Sequence, residues 1–226
     1  IYYNPASKIV KNLIVSGVLE IVENYDIAGI LFDDYFYPST DIDLENYEEY
    51  KDIMTIKDYR LMQVNDLIRL VYKTIKSINS NIEFGISPDG NIENNYELSY
   101  ADVKTWLSEE GYIDFIMTQL YYGFYNDIKP FIKTANEWNN LIKNNVRLIL
   151  ALSLYKSGNI DEYAKSGSNE WIDYNDIISR EIEYGRVLSH YDGYSLFRYE
   201  YLVDYKNPCL DKEIENYLKA ITKKIN

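Results

Sequence analysis

The stretch Gly29-Ile-Leu-Phe-Asp-Asp-Tyr-Phe-Tyr-Pro38 decides how the rest of the chain is interpreted. The apolar run at 27–32 predicts a buried strand, which ends at two adjacent carboxylates followed by aromatic residues. In parallel α/β barrels, the carboxyl ends of the strands carry the functional side chains. Carboxylates beside flat aromatic faces at such a position favour a site that cleaves glycosidic bonds. The alternative is an acidic loop that only caps the next segment.

Apolar runs alternate with helical patterns along the whole chain. Strands are predicted at 27–33, 82–87, 113–121, 146–152 and 193–199, and helices at 4–24, 61–75, 100–110, 127–144, 174–190 and 211–224. This alternation predicts an α/β fold with a parallel sheet, either open and doubly wound or closed into a (β/α)8 TIM barrel. Because no glycine-rich phosphate turn follows a strand, and polar and aromatic residues do, the barrel is favoured.

Five strands are too few for a closed barrel, which needs eight strands and about 250 residues. We therefore expect residues 1–226 to be the C-terminal portion of a single barrel domain, holding its last five βα units. The first three strands would come from residues that precede Ile1, on the same polypeptide or on a nicked companion chain. A start without methionine or a signal peptide favours such a cut piece.

Composition excludes several classes of partner. A net charge of −13 argues against nucleic acid and against an anionic membrane surface. The single cysteine, Cys209, cannot form an internal disulfide. Tyrosine is abundant, with 25 residues against 7 phenylalanines; codon usage explains most of them, while those at strand ends suit carbohydrate.

Several motifs together resemble a known family. They lie at 3–5, 25–26, 29–38, 84–88, 102–106, 111–116, 119–121, 152–156 and 193–197. The pattern is similar to the glycoside hydrolase-like family of bacterial cell-envelope proteins, a family-10-like TIM barrel formerly described as a domain of unknown function. One departure is Ala28, which stands where the family usually has aspartate.

The resemblance implies an enzyme that cleaves β-1,4 glycosidic bonds in peptidoglycan glycan strands, as a lytic transglycosylase or a hydrolase. A clostridial cell-wall lytic transglycosylase is the nearest expected relative, and the expected location is secreted or at the cell wall. No cofactor is expected. A non-catalytic cell-wall carbohydrate-binding barrel and a metal-dependent barrel hydrolase remain as alternatives.

Asp33 and Asp34 are the candidate catalytic residues. Adjacent side chains on an extended backbone point in opposite directions, so only one of them can easily face the barrel mouth. We expect Asp34 to be the general acid and base and Asp33 its supporting partner; the alternative is the reverse assignment. A like-charged neighbour or a buried wall would raise the pKa of the acid, as that role requires.

Further residues after the strands are candidates for substrate binding: Tyr35, Tyr37, Asp89, Gln119, Tyr121, Tyr155 and Lys156. Tyr35 and Tyr37 would stack on sugar rings. Gln119 and Tyr121, two apart on one predicted strand, would share a face, where an interior hydrogen-bond layer is the alternative. Tyr155 and Lys156 are expected at the end of the fourth strand.

Structural alternatives exist for several of these residues. Lys156 would stabilise a carboxylate or lie in solvent, and Asp89 would be a second carboxylate or part of a turn. Trp106 is expected in the core, and Arg198 would pair with Glu200. Since His190 is the only histidine, no histidine-based triad or metal site is expected.

Overall fold

The computed structural model describes residues 2–34, 36–203 and 206–222. The strands are β1 (Gly29–Phe32), β2 (Glu83–Ile86), β3 (Phe115–Gln119), β4 (Arg147–Leu152) and β5 (Tyr191–Leu196). They follow the order β1-β2-β3-β4-β5 in the sheet, and the pairs β1–β2, β2–β3 and β4–β5 are parallel. The prediction of an α/β fold with alternating strands and helices is confirmed.

The helices lie before, between and after these strands. They are α1 (Lys8–Asn24), α2 (Leu44–Tyr47), α3 (Ile56–Ile78), α4 (Ile92–Glu97), α5 (Val103–Trp106), α6 (Phe131–Leu141), α7 (Glu170–Asp173), α8 (Ile177–Gly185), α9 (Glu200–Val203) and α10 (Pro208–Thr222). Within the described residues, no helix is both long enough and apolar enough to span a membrane.

The chain divides into two compact units. Unit 1 contains residues 1–116 and 141–146, and unit 2 contains residues 117–140 and 147–226. Unit 1 therefore holds the loop with Asp33 and Asp34, and unit 2 holds the loops that follow β3 and β4.

The core of unit 1 is built on the apolar stripe of α3. Its buried residues recur at helical spacing, so one face of the helix is covered along its length: Val64, Leu67, Ile68, Val71 and Ile75. Thr55 caps the start of α3, because its side chain accepts a hydrogen bond from the Asp58 amide. In the same unit, the buried indole of Trp106 donates to Asn65 Oδ1 at 2.6 Å, which agrees with the core position expected for this tryptophan.

Gly85 in the middle of β2 is required by a close approach. A Cβ at this position would lie 2.3 Å from the ring of Phe115. The Phe115 ring thus covers β2 where a side chain would otherwise stand, and β3 pairs with β2 at this point through Gly85–Phe115 and Ile86–Ile116.

The core of unit 2 is formed by β4, α6, α8 and α10. Their fully buried apolar residues include Phe131, Trp138, Leu148, Leu150, Leu152, Ile178, Ile182 and Leu210. The first turn of α8 has no capping bond from Asp176. Instead, Glu213 of α10 accepts a hydrogen bond from the Ile178 amide at 2.6 Å, so one helix caps the other.

Several predicted boundaries were wrong. The first helix begins at Lys8 rather than at Asn4, because Asn4 binds the Ala6 amide and donates to the Ile42 carbonyl at 2.7 Å. The predicted helix at 100–110 is one short helix, α5, which Asp102 caps and which stops at Trp106. The polar stretch 39–57, which lies outside every predicted helix and strand and was expected to be a loop, contains the short helix α2.

Candidate active site

The loop that carries Asp33 and Asp34 leaves the end of β1. The Phe32 carbonyl accepts the Ser87 amide at 2.7 Å, which ties this end of β1 to the end of β2. The rings of Phe32 and Phe84 meet edge to face at 5.1 Å. The chain then turns tightly, since the Phe36 amide donates to the Asp34 carbonyl at 3.0 Å. The sequence prediction that both carboxylates end this strand is therefore correct.

The two aspartates lie in different environments. Asp33 is exposed, whereas Asp34 is half-buried. Burial raises the pKa of the Asp34 carboxyl above its ordinary value, and the charges of Asp33 and Asp89 raise it further. A hydrogen bond with its own backbone lowers the pKa of Asp34 by a smaller amount. Asp34 thus holds its proton at a higher pH than an ordinary aspartate, as a proton donor must.

A buried ion pair holds the rest of this loop. The Arg60 guanidinium binds both oxygens of Asp43, with Nε–Oδ2 and Nη2–Oδ1 distances of 2.9 Å. Both side chains are almost fully buried. Arg60 also donates to the Thr40 carbonyl at 2.5 Å and to the Tyr100 hydroxyl at 2.9 Å. The pair fastens the loop to α3, and sequence reasoning did not identify it.

The aromatic residues of the loop are placed differently from one another. Tyr37 is buried, and its hydroxyl donates to Asp43 Oδ2 at 2.8 Å, so its ring is part of the loop support rather than an open stacking face. Phe36 packs on Trp106 at 5.7 Å. Tyr35 lies outside the described residues.

Asp89 is half-buried and organises its own turn. Its oxygens accept the Asn91 amide at 2.7 Å and the Asn94 side chain at 3.3 Å, and the Asn95 side chain donates to its carbonyl at 2.7 Å. The carboxylate is therefore used in forming the start of α4. Its charge still acts on Asp34.

An apolar cavity of about 510 Å³ adjoins the acidic loop in unit 1. Its walls include the largely exposed rings of Tyr2 and Tyr3, the side chains of Leu31 and Phe32, and Asp33. The cavity places an apolar wall directly beside an exposed carboxylate.

In unit 2, Gln119 is the last residue of β3, and the other predicted substrate-binding residues lie beyond the ends of the strands. β3 ends at Gln119, whose carbonyl accepts the Tyr121 amide at 2.9 Å, so the two residues do not share a strand face as expected. β4 ends at Leu152, and Tyr155 and Lys156 lie in the short helical turn that follows. At the ends of β3 and β4, the apolar run in the sequence continues beyond the last residue that pairs with a neighbouring strand.

The side chains of these residues form a small aromatic and charged cluster. The rings of Tyr121, Tyr155 and Phe197 lie 5.7 to 6.0 Å apart. Lys156 Nζ donates to the Tyr121 carbonyl at 2.7 Å and to Asp161 Oδ2 at 2.6 Å. Asp161 is buried, so Lys156 is not the solvated lysine of one alternative; the carboxylate that it stabilises belongs to the protein itself.

Three buried glutamates in unit 2 were missed by sequence reasoning: Glu170, Glu181 and Glu213. Burial raises the pKa of each of them, and that of Glu213 reaches about 7. The signal was available, because Glu181 falls on the buried stripe of α8 with Ile178 and Ile182. Arg198 and Glu200 form the expected ion pair on the surface.

No group of three or more histidine, cysteine, aspartate and glutamate side chains suited to a metal ion occurs in the part of the chain that the structure describes. Asp89 takes part in its own turn, and Asp43 takes part in the ion pair with Arg60. The candidate chemistry of the loop after β1 is proton transfer by Asp34, because burial and the charges of Asp33 and Asp89 raise the pKa of its carboxyl.

Comparison with known proteins gives the family. Residues 1–172 match the model of the family Glycosyl hydrolase-like 10. Relatives include glycosyl hydrolase YngK of Bacillus subtilis (strain 168), 33% identical over 195 residues, and glycosyl hydrolase DigH of Escherichia coli (strain K12), 30% identical over 221 residues. These matches cover 76% and 88% of this chain but 38% and 49% of the relatives, so the chain spans about half or less of their length.

Among solved structures, a beta-glucuronidase of Bacteroides uniformis matches with a TM-score of 0.53 and 15% identity. The match covers 88% of this chain and 22% of that chain, and at this identity it shows the fold alone. The motifs, the family model and the relatives agree, and the chain belongs to the Glycosyl hydrolase-like 10 family.

Proposed function

We propose that this chain takes part in cleaving β-1,4 glycosidic bonds of peptidoglycan glycan strands, as a lytic transglycosylase or a hydrolase at the cell wall. Membership of a glycosyl hydrolase-like family supports glycan cleavage in general. The single observation that carries the assignment is the half-buried Asp34 with a raised pKa at the end of β1. The kinship with clostridial lytic transglycosylases remains a prediction from the sequence.

Asp34 acts as the general acid in this proposal. In its protonated form it donates a proton to the glycosidic oxygen while the bond to the anomeric carbon breaks, leaving positive charge on the ring. Asp33 supports it, because the charge of Asp33 raises the pKa of Asp34. In hydrolysis, water attacks the anomeric carbon and gives up a proton to the Asp34 carboxylate. In transglycosylation, a hydroxyl of the same sugar attacks, forms an anhydro ring and gives up its proton to the same carboxylate.

The proposal is tested with the full-length polypeptide that contains this chain, incubated with purified peptidoglycan. Asp34→Asn removes the proton donor with little change in shape, and we expect cleavage to fall by about 10²- to 10⁴-fold. Asp33→Asn should cost less, since it only lowers the pKa of its neighbour. Asp41→Asn, an exposed aspartate in the same loop, is the matched control. Wild-type cleavage by Asp34→Asn would contradict the assignment.

Mass spectrometry of the products distinguishes the two reactions. An anhydro product is lighter than the hydrolysis product by one water. Because Asp34 donates its proton in both reactions, Asp34→Asn should suppress whichever product the wild-type protein forms.

A second candidate function is carbohydrate binding without cleavage. Ala28, which stands where the family usually has aspartate, favours it: the residue is exposed, and its carbonyl accepts the Glu83 amide at 2.9 Å. Binding of peptidoglycan with no product from the full-length protein would support this candidate.

We also propose that the preceding part of the same barrel covers β1, whether it belongs to the same polypeptide or to a nicked companion. Two observations support this: Leu31 of β1 is 42% exposed, and the relatives are much longer than this chain. An exposed strand edge with apolar side chains is a surface that proteins normally cover. Cooperative, monomeric unfolding of residues 1–226 alone would count against it.

A further inference from the structure

Two exposed tyrosines lie side by side on the strand-to-helix loops of unit 2. Tyr125 lies in the connection between β3 and α6. Tyr174 lies in the connection between β4 and α8, directly after the short helix α7, and the two residues are 51% and 42% exposed. Their ring centroids are 5.7 Å apart and their planes meet at 48°. Loops on this side of parallel strands carry the functional surface in barrels. The pair joins two such loops into one aromatic surface.

The backbone beneath Tyr125 is held by a buried carboxylate. Glu170, only 3% exposed, accepts the Phe124 amide at 2.8 Å and the Tyr125 amide at 2.9 Å, one with each oxygen. Two hydrogen bonds from backbone amides to the two oxygens of one buried carboxylate fix the geometry of the donor segment. The loop after β3 is therefore pinned to α7 at the residue that presents the aromatic ring.

Gly123 is part of the same arrangement. A Cβ at this position would lie 2.1 Å from Glu170 Oε2, so any side chain would displace the carboxylate or the loop. The glycine is explained by close approach to Glu170.

Arg180 supports the other side. Its guanidinium lies 4.2 Å over the Phe124 ring and 6.0 Å from the Tyr174 ring, and it is 3.6 Å from Asp176. A cation over an aromatic face is attracted by the ring electrons. Arg180 thus links α8 to the residues on either side of the tyrosine pair.

We propose that Tyr125 and Tyr174 form a stacking platform for the pyranose rings of a glycan chain, and that Glu170 positions it. The apolar C–H face of a pyranose matches an exposed aromatic ring, and tyrosine adds a hydroxyl for hydrogen bonds. The choice of a glycan as occupant rests on the proposed function. The platform adds a binding surface that is separate in sequence from Asp34 and from the predicted substrate-binding residues.

The test measures affinity for a soluble β-1,4-linked N-acetylglucosamine hexamer by calorimetry, using the full-length protein with Asp34→Asn so that the ligand is not consumed. Tyr125→Ala or Tyr174→Ala should each weaken binding about three- to tenfold, as expected for the loss of one ring contact. Tyr125→Phe and Tyr174→Phe keep the rings and should retain most of the affinity. Tyr25→Ala, a tyrosine that is 64% exposed in unit 1, is the matched control.

The positioning role of Glu170 has its own readout. Gly123→Ala should weaken binding as Tyr125→Ala does, and the double variant should be no weaker than either single variant, because both act on the same ring. Thermal unfolding of each variant checks that it is folded. Gly123→Ala with wild-type affinity, or additive losses in the double variant, would overturn the positioning role.

Two outcomes separate this inference from the proposed function. If both alanine variants bind as tightly as the parent, or the parent does not bind the hexamer, the platform is wrong. If the tyrosine variants lose affinity but the protein with Asp34 intact releases no product, the platform stands and the proposed cleavage fails.

Discussion

Both units of the molecule bury carboxyl groups, and two of these groups, Asp43 in unit 1 and Glu181 in unit 2, have contrasting partners. In unit 1, the fully buried Asp43 receives two hydrogen bonds from Arg60 and one from Tyr37. In unit 2, the fully buried Glu181 has no hydrogen-bond partner for either oxygen among the described residues. A buried charge persists where a well-placed cation compensates it, and where none does the group retains its proton.

Glu181 and Glu213 of unit 2 show the second case. Burial and the charges of Glu213 and Glu170 raise the pKa of Glu181 well above its ordinary value, and Lys156 and Arg180 lower it less. Glu213 has a pKa of about 7, raised by burial despite the amide bonds from the start of α8. Burial therefore raises the pKa of both glutamates, because the cations and amides around them offset its effect only in part.

The largest expected effect is in unit 1. Arg60→Met leaves Asp43 buried without its cation, and we expect the free energy of unfolding to fall by about 3–5 kcal/mol. Urea unfolding measures this change. Replacing Asp43 with leucine in the same variant should recover part of the loss, because no charge then remains buried.

The matched control is Lys51→Met, which removes an exposed pair with Glu48. We expect it to change stability far less, since solvent screens such pairs. If Arg60→Met were no more destabilising than Lys51→Met, the two kinds of ion pair would be equivalent and the comparison would fail.

The next largest effect is the pH dependence of stability that Glu213 causes in unit 2. The pKa of Glu213 is raised from 4.5 to about 7 in the folded protein. Between these values folding increases the number of protons bound at Glu213. The contribution of Glu213 to stability is therefore fully present below pH 4.5 and is lost as pH rises through 7. The shift corresponds to a loss of about 3 kcal/mol over this range.

Glu213→Gln keeps the cap on the Ile178 amide but cannot ionise. Urea unfolding at several pH values should show a shallower decline for this variant than for the wild-type protein. An identical pH dependence in both would show that Glu213 is not the group responsible.

A smaller effect is expected in unit 2, where the buried Asp161 also depends on a cation, Lys156. Lys156→Met leaves the buried Asp161 without its cation and the Tyr121 carbonyl without a donor, and should cost about 1–3 kcal/mol of stability. If Lys156 instead contacts substrate, as the sequence suggested, the variant would raise KM with little loss of stability. Unfolding and kinetics measured together distinguish these results.

Much of the fold could be predicted because apolar periodicity is a local signal. The runs around β1 to β5 identify all five strands, and the stripe from Val64 to Ile75 identifies α3. Helix ends were less predictable, because Asn4 binds distant atoms at Ile42 instead of capping a helix.

The site was predicted only where its residues lie next to a strand end. Asp34 follows β1 directly, so the pattern finds it, while its environment depends on Asp89, which is distant in sequence. The pairing of Arg60 with Asp43 across 17 residues leaves no local signature. Arg60 and Glu181 are charged residues on the otherwise apolar buried faces of α3 and α8. A charged residue in such a position is a sequence signal that could have identified the Asp43–Arg60 pair and the buried glutamates.

The central claim is that burial and Asp33 keep Asp34 protonated above the usual pH range of an aspartate. Carbon-13 NMR titration of the Asp34 side-chain carboxyl tests it directly. We predict a pKa above 3.8 in the wild-type protein and a lower value in Asp33→Asn, where the neighbouring charge is gone. A pKa at or below 3.8 that does not respond to Asp33→Asn would contradict the role of Asp34 as the general acid.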